Sequence, residues 1–257
     1  MSGSSAFLVD SHTHLDLLDE KPGAAVEEAR RHGVGHLVTA GIDLKSSRLA
    51  VEAAAAYPGV VAAVGIHPHD AGTVDAESID GLEALARAPG VAAIGETGLD
   101  YYRNRAPEEE QKAAFIAQIG LARRLDLPLI VHTRDAAADT LSILERHAGG
   151  LTVILHCFSL TDSVEECARR GYFMSLAGNI TFPKAGSLRE AVRAIPVNLL
   201  LTETDAPYLT PVPYRGRPNT PANVRFVTAE LALLRGAGTD ELARQVLANF
   251  QKAYKLS

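Results

Sequence analysis

Short apolar runs alternate with longer stretches of helical periodicity from one end of the chain to the other. The runs fall at residues 7–9, 36–40, 60–64, 91–94, 127–131, 151–155, 172–175 and 199–201. The stretches between them carry helix start and stop signals. Pro22 opens one that closes at Gly33, and residues 44–56 stop before Tyr57-Pro58-Gly59. Residues 78–88 stop before Pro89-Gly90. Residues 107–125 begin with a proline and Glu108, Glu109 and Glu110, where the helix dipole favours negative charge. Residues 135–147, 161–170 and 184–194 end at Gly149-Gly150, Gly171 and Pro196. Residues 221–234 and 240–254 are joined by Gly236-Ala237-Gly238.

Each of the eight predicted strands is thus followed by at least one predicted helix. Continuously apolar strands separated by helices predict a parallel sheet covered by those helices. Eight such units in 257 residues match an α/β fold of the (β/α)8 TIM-barrel type. An open, doubly wound sheet is the alternative, but the Gly-rich phosphate loop that accompanies it is missing. No linker divides the chain, so a single domain over 7–257 is expected behind an N-terminal tail at 1–6. That tail lacks the basic and apolar regions of a signal peptide.

Composition narrows the function. The chain carries 25 basic and 31 acidic residues, a net charge of −6, unlike proteins that coat nucleic acid with a basic face. Bound dications and a few arginines can still reverse the sign within one cleft. Two cysteines, Cys157 and Cys167, are too few for a disulfide framework and suggest a reducing, cytoplasmic home. No run approaches the roughly 18 apolar residues of a membrane span.

The chemistry lies just past the apolar runs, because barrel active sites gather at the C-terminal ends of the strands. His12 and His14 come after the first run, Glu96 after the fourth, His132 at the end of the fifth, His156 after the sixth, and Glu203 and Asp205 after the eighth. Four histidines and at least two carboxylates therefore converge on one rim. Alternation puts Glu203 and Asp205 on one face, and only one of them need be a ligand. His32 and His147 lie near helix ends and His36 at a strand start, where structural roles suffice. His67 and His69 come after the third run and can face metal, substrate or loop. Cys157 is expected to point away from the rim, on the alternation of an extended strand.

Six segments in order resemble the TatD family of metal-dependent deoxyribonucleases. They are 10–16 (DSHTHLD), 65–69 (GIHPH), 95–101 (GETGLDY), 128–136 (PLIVHTRDA), 156–159 (HCFS), and 203–211 (ETDAPYLTP) with Arg215-Gly216. The resemblance implies an amidohydrolase-like barrel and a 3′-to-5′ exodeoxyribonuclease acting on DNA ends or single strands. It further implies two divalent cations, one held by His12, His14, Glu96 and Asp205, the other by Glu96, His132 and His156. Leu160 stands where the family commonly has Gly, and Thr220 where it often has Glu.

Zinc, manganese or iron suit such ligands, and the oxygen share keeps magnesium open. Asp205 and Glu96 are the expected catalytic carboxylates, with Asp205 positioned to accept a proton from the attacking water. His67, Arg134, Tyr101, Arg103 and Arg215 are the expected substrate contacts, guanidinium forks for phosphate and an aromatic ring for a base. Two other readings share the same residues: an amidase, lactonase or esterase on this barrel, and a catalytically weak DNA-processing scaffold.

Overall fold

The structure is a computed structural model that describes residues 8–256, so the expected tail at 1–6 lies outside the described residues, as do Phe7 and Ser257. Eight strands run β1 (Leu8–Thr13), β2 (Val34–Ala40), β3 (Val60–Val64), β4 (Val91–Asp100), β5 (Leu129–Arg134), β6 (Val153–Leu155), β7 (Phe173–Leu176) and β8 (Leu200–Thr202). The helices are α1 (Pro22–Arg31), α2 (Leu44–Ala56), α3 (Ala76–Ala86), α4 (Glu108–Leu125), α5 (Ala137–His147), α6 (Val164–Arg169), α7 (Gly186–Ala194), α8 (Val224–Arg235) and α9 (Thr239–Ala253). All neighbouring strands pair in parallel, in the order β1 to β8. The chain is a (β/α)8 barrel, as the alternation predicts.

Closure between β8 and β1 is polar, and it matters for the site. Thr202 Oγ1 donates to the Val9 carbonyl at 2.8 Å, and the Asp205 amide donates to the His12 carbonyl at 2.9 Å. The buried Asp10 carboxylate accepts from the Thr204 amide at 2.7 Å and from Thr204 Oγ1 at 2.6 Å. These bonds fix Asp205 relative to the histidines of β1. Tyr254, just beyond α9, adds a further tie to β1 by donating its hydroxyl to the Ser11 carbonyl at 2.8 Å.

The apolar runs fill the core: Ile94, Leu129, Ile130, Val131, Leu155, Met174, Leu200 and Leu201 are fully buried. Phe115 of α4 joins them, and its truncation to Ala would cost roughly 3–5 kcal/mol. Boundaries differ from the expected ones for local reasons. Helix α3 starts at Ala76, ahead of Ser78, because Asp75 and Ser78 form a reciprocal capping box. Helix α5 starts at Ala137 because Asp135 takes a left-handed φ of 53°. Strands β1, β4 and β5 run past their apolar stretches through His12, Glu96 and His132. Hydrophobicity stops at the rim, but the ladder of backbone hydrogen bonds does not. Among the described residues, no helix is long and apolar enough to cross a membrane.

Candidate metal centre

His12, His14, Glu96, His132, His156 and Asp205 meet at the C-terminal mouth of the barrel, although up to 193 positions separate them in the chain. Glu96 is their centre. Its Oε1 lies 2.8 Å from His132 Nδ1 and 3.1 Å from His156 Nε2. Its Oε2 lies 3.4 Å from His12 Nε2 and 3.6 Å from His14 Nε2. One carboxylate thus turns one oxygen to each histidine pair. Asp205 Oδ1 closes the His14 side at 3.5 Å and is 4.0 Å from His12 Nε2. The two pairs touch where the rings of His12 and His156 stack at 3.8 Å.

Glycines let β4 bring Glu96 this close to β5. A Cβ on Gly98, whose φ is +139°, would overlap the carbonyl oxygen of His132. Behind the ring nitrogens, further groups fix the tautomers. His14 Nδ1–H donates to the Ala40 carbonyl at 2.9 Å. His156 Nδ1–H donates to Glu203 Oε1 at 3.0 Å, which also accepts the Cys157 amide at 2.7 Å. His132 Nε2–H donates to Asp100 Oδ2 at 3.3 Å, and His69 Nε2 donates to that same oxygen at 3.0 Å.

In their neutral forms three imidazoles would therefore turn bare nitrogens toward carboxylate oxygens, and two of those contacts are 2.8 and 3.1 Å. Lone pair against anion is repulsive unless a cation, proton or metal, sits between them. The charge response agrees. Burial opposes the imidazolium form, yet the charges of Glu203 and Glu96 raise His156 well above its usual range. His14 likewise rises to about 9, through its bond to Asp205 and the Glu96 charge. Burial opposes ionisation of Glu96, but His156 and His67 hold it well below the carboxylate range. His12 is lowered by burial and by the charge on His156, and its Nδ1 is buried without a hydrogen-bond partner. A cup that draws in protons this strongly fits divalent cations, which would take the protons' place.

His67 also reaches Glu96, its Nε2 lying 3.5 Å from Oε1, and could group with Glu96 and His132 around an ion. Its tautomer argues otherwise. The His69 amide donates into His67 Nδ1 at 3.1 Å, so Nε2 carries the hydrogen and has no lone pair for a metal. Burial holds this ring neutral, with its pKa lowered to about 4. His67 is a hydrogen-bond donor facing the cup.

The other expected contacts lie further out. Tyr101 donates its hydroxyl to Asp139 at 2.7 Å, turned toward α5. The neighbouring Tyr102 is the exposed ring, with the Arg134 guanidinium 3.9 Å over its face and Arg103 at 5.9 Å. Arg215 stacks on Phe182 at 4.2 Å. Among the described residues, none of Tyr101, Arg103, Arg134 and Arg215 bonds to the six-residue cluster. For Cys157 the ground of the expectation fails: β6 ends at Leu155, and Cys157 has φ 45°, so strand alternation does not orient it. Its half-buried thiol is pushed up by burial. His36 packs its ring 5.6 Å from Phe250, and His32 caps α1, both structural as expected. Leu160 is buried in the core, while Thr220 Oγ1 is buried without a partner.

Sequence reasoning missed Asp100 and Tyr208, left the role of His69 open, and left Glu203 without a task. Asp100 had a signal, since alternation along β4 puts residues 96, 98 and 100 on one face. Tyr208 had a weaker one, an aromatic three positions past Asp205 in a rim loop.

Residues 9–255 match the family model described as TatD related DNase. The chain belongs to the TatD-related DNase family. It is 40% identical over 259 residues to the uncharacterized metal-dependent hydrolase TatD of Mycobacterium tuberculosis, covering 97% of this chain and 98% of that one. It is 38% identical over 236 residues to a 3′-5′ ssDNA/RNA exonuclease TatD of Klebsiella pneumoniae, covering 89% and 90% of the two chains. The crystal structure of YJJV, a TatD homologue from Escherichia coli, superposes with a TM-score of 0.91 at 30% identity, over 98% of this chain and 99% of that one.

Proposed function

We propose that this TatD-family protein is a two-metal hydrolase that removes nucleotides from the 3′ ends of single-stranded DNA. The observation that carries this reading is Glu96, whose two carboxylate oxygens face separate histidine pairs. His12, His14, Glu96 and Asp205 would hold one cation, and Glu96, His132 and His156 the other. A divalent cation supplies Lewis acidity there and brings the pKa of water toward neutrality. Histidine-rich ligation suits zinc, manganese or iron, with magnesium the weaker fit.

The chain's own groups do the rest. Burial works against the charged form of Asp205, but its bond from His14 and the charge on His156 keep it a carboxylate. It orients the attacking water and accepts its proton. His67 offers its Nε2–H to the anionic oxygens that gain charge as the phosphodiester opens, the role of an oxyanion donor. Arg134, its guanidinium lying over the Tyr102 ring, gives the strand a guanidinium fork for phosphate. Arg103 and Arg215 serve the backbone further from the cup, and Tyr101 supports the wall. The free thiols of Cys157 and Cys167 suit a reducing cytoplasm.

The deciding experiment strips the protein of metal and supplies end-labelled single-stranded DNA, adding back zinc, manganese, magnesium or iron one at a time. Ladder shortening from the 3′ end in one of these additions is expected. Intact DNA in every addition, alongside rapid turnover of a lactone or amide, would replace this reading with the esterase one.

A further inference from the structure

Two large aromatic rings stand out into solvent at the mouth, Tyr102 at 60% and Tyr208 at 54% exposure. They belong to loops after β4 and β8, strands on opposite sides of an eight-stranded barrel, so the metal-type cluster lies between them. The Tyr102 ring already carries the Arg134 guanidinium on one face. No such cation covers Tyr208 among the described residues.

Tyr208 is nonetheless held firmly. Its amide donates to the Asp205 carbonyl at 2.8 Å. Its own carbonyl accepts Asn219 Nδ2 at 2.6 Å, and the same amide group donates to the Thr204 carbonyl at 3.0 Å. The backbone that carries the ring is therefore tied to the backbone on both sides of Asp205. The ring stands edge-on to the His14 imidazole, with centroids 6.2 Å apart and planes at 71°. Burial and the Asp205 and Glu96 charges push its hydroxyl up, so the ring stays neutral beside an acidic cup. Holding a large, half-exposed aromatic face in place costs hydration of apolar surface, and core packing gives no reason for it.

We propose that Tyr208 is a stacking platform for the nucleobase next to the phosphodiester lying over the cluster. The inference rests on the nuclease reading and adds a base-recognition contact to it. A ring face accepts any base, so the contact grips the strand end without selecting sequence. Its position beside His14 and Asp205 puts the stacked base on the β8 side. Arg134 on Tyr102 is left to take phosphate on the β4–β5 side. Together they mark out a path for the strand across the mouth, with the reacting bond in its middle.

The test uses the full chain with Tyr208→Ala, Tyr208→Leu and Tyr208→Phe, and two oligodeoxynucleotides that differ only in whether the 3′-terminal nucleotide carries a base. Stacking of one base predicts that Tyr208→Ala raises KM on the ordinary oligonucleotide by about 5- to 150-fold. Tyr208→Leu, which keeps apolar cover without an aromatic face, should lose nearly as much, while Tyr208→Phe stays close to wild type. On the abasic oligonucleotide the Ala variant and wild type should converge. Equal losses on both oligonucleotides, or none on either, would overturn the proposal. A parallel measurement tracks binding of the labelled ordinary oligonucleotide to metal-free protein by fluorescence anisotropy. Absence of cleavage by the wild type under every dication would count against the nuclease reading alone. The anisotropy arm then still decides Tyr208: weaker binding by the Ala variant supports the platform, and equal binding or no binding at all overturns it.

Discussion

Replacing Glu203 with Gln tests whether the cup is tuned by groups behind the ligands. Glu203 is fully buried; its Oε1 lies 3.0 Å from His156 Nδ1 and 2.7 Å from the Cys157 amide. The carboxylate fixes the His156 tautomer and makes its Nε2 a better donor to a cation. Glutamine keeps the shape, and its amide oxygen can still accept both hydrogens, but the charge is gone. Loss of such a partner typically lowers metal affinity 10- to 100-fold, or about 1.4–2.7 kcal/mol. The fold should survive. The variant's amide NH2 would lack a partner at roughly 1–3 kcal/mol, but Oε2 is already buried without one in the wild type. Chelator competition gives the metal affinity and a thermal melt checks the fold. A well-folded Glu203→Gln protein with wild-type affinity would refute the reasoning, since His156 would then need no charged partner.

Other outcomes rest on the same geometry. Glu96→Ala should fold yet lose both cations together, because the two proposed ligand sets share this carboxylate; elemental analysis showing one retained ion per chain would sink the bridging role. His67→Ala should keep its metal content and lose about 100- to 1,000-fold in kcat, the effect of removing an oxyanion donor; loss of metal instead would make it a ligand. The metal-free protein should lose stability as pH rises from about 6.5 toward about 9. His14 binds a proton more tightly when folded, so its contribution is complete below the lower value and gone above the higher. A dication should remove that dependence, and a pH-independent melting temperature in chelator would contradict it.

The barrel was legible because its signal is local and repeated. Eight apolar runs with helix caps between them leave little choice beyond parallel strands and covering helices. The six convergent residues were legible for a related reason: a barrel presents every strand's C-terminal end at one rim, so position in the repeat gives position in space. Cys157 broke this logic because the chain turns at φ 45°, where strand alternation no longer orients side chains. Tyr101 and Tyr102 are adjacent in sequence and opposite in fate. One hydroxyl is taken by Asp139, and the other ring stays open beneath Arg134.

The sequence by itself determined the architecture, the family and the kind of atoms gathered at the mouth, since periodicity and residue type are properties of the chain. Tertiary structure alone decided how those atoms are used. It divides the two oxygens of Glu96 between two histidine pairs. It turns Glu203 onto the back of His156 while Asp205 faces the cup. It makes His67 a donor through the amide of His69, and it stands Tyr208 on the rim. Each of these depends on distances of a few ångströms between groups far apart in sequence, and on which ring nitrogen keeps its hydrogen. Neither quantity exists until the barrel closes.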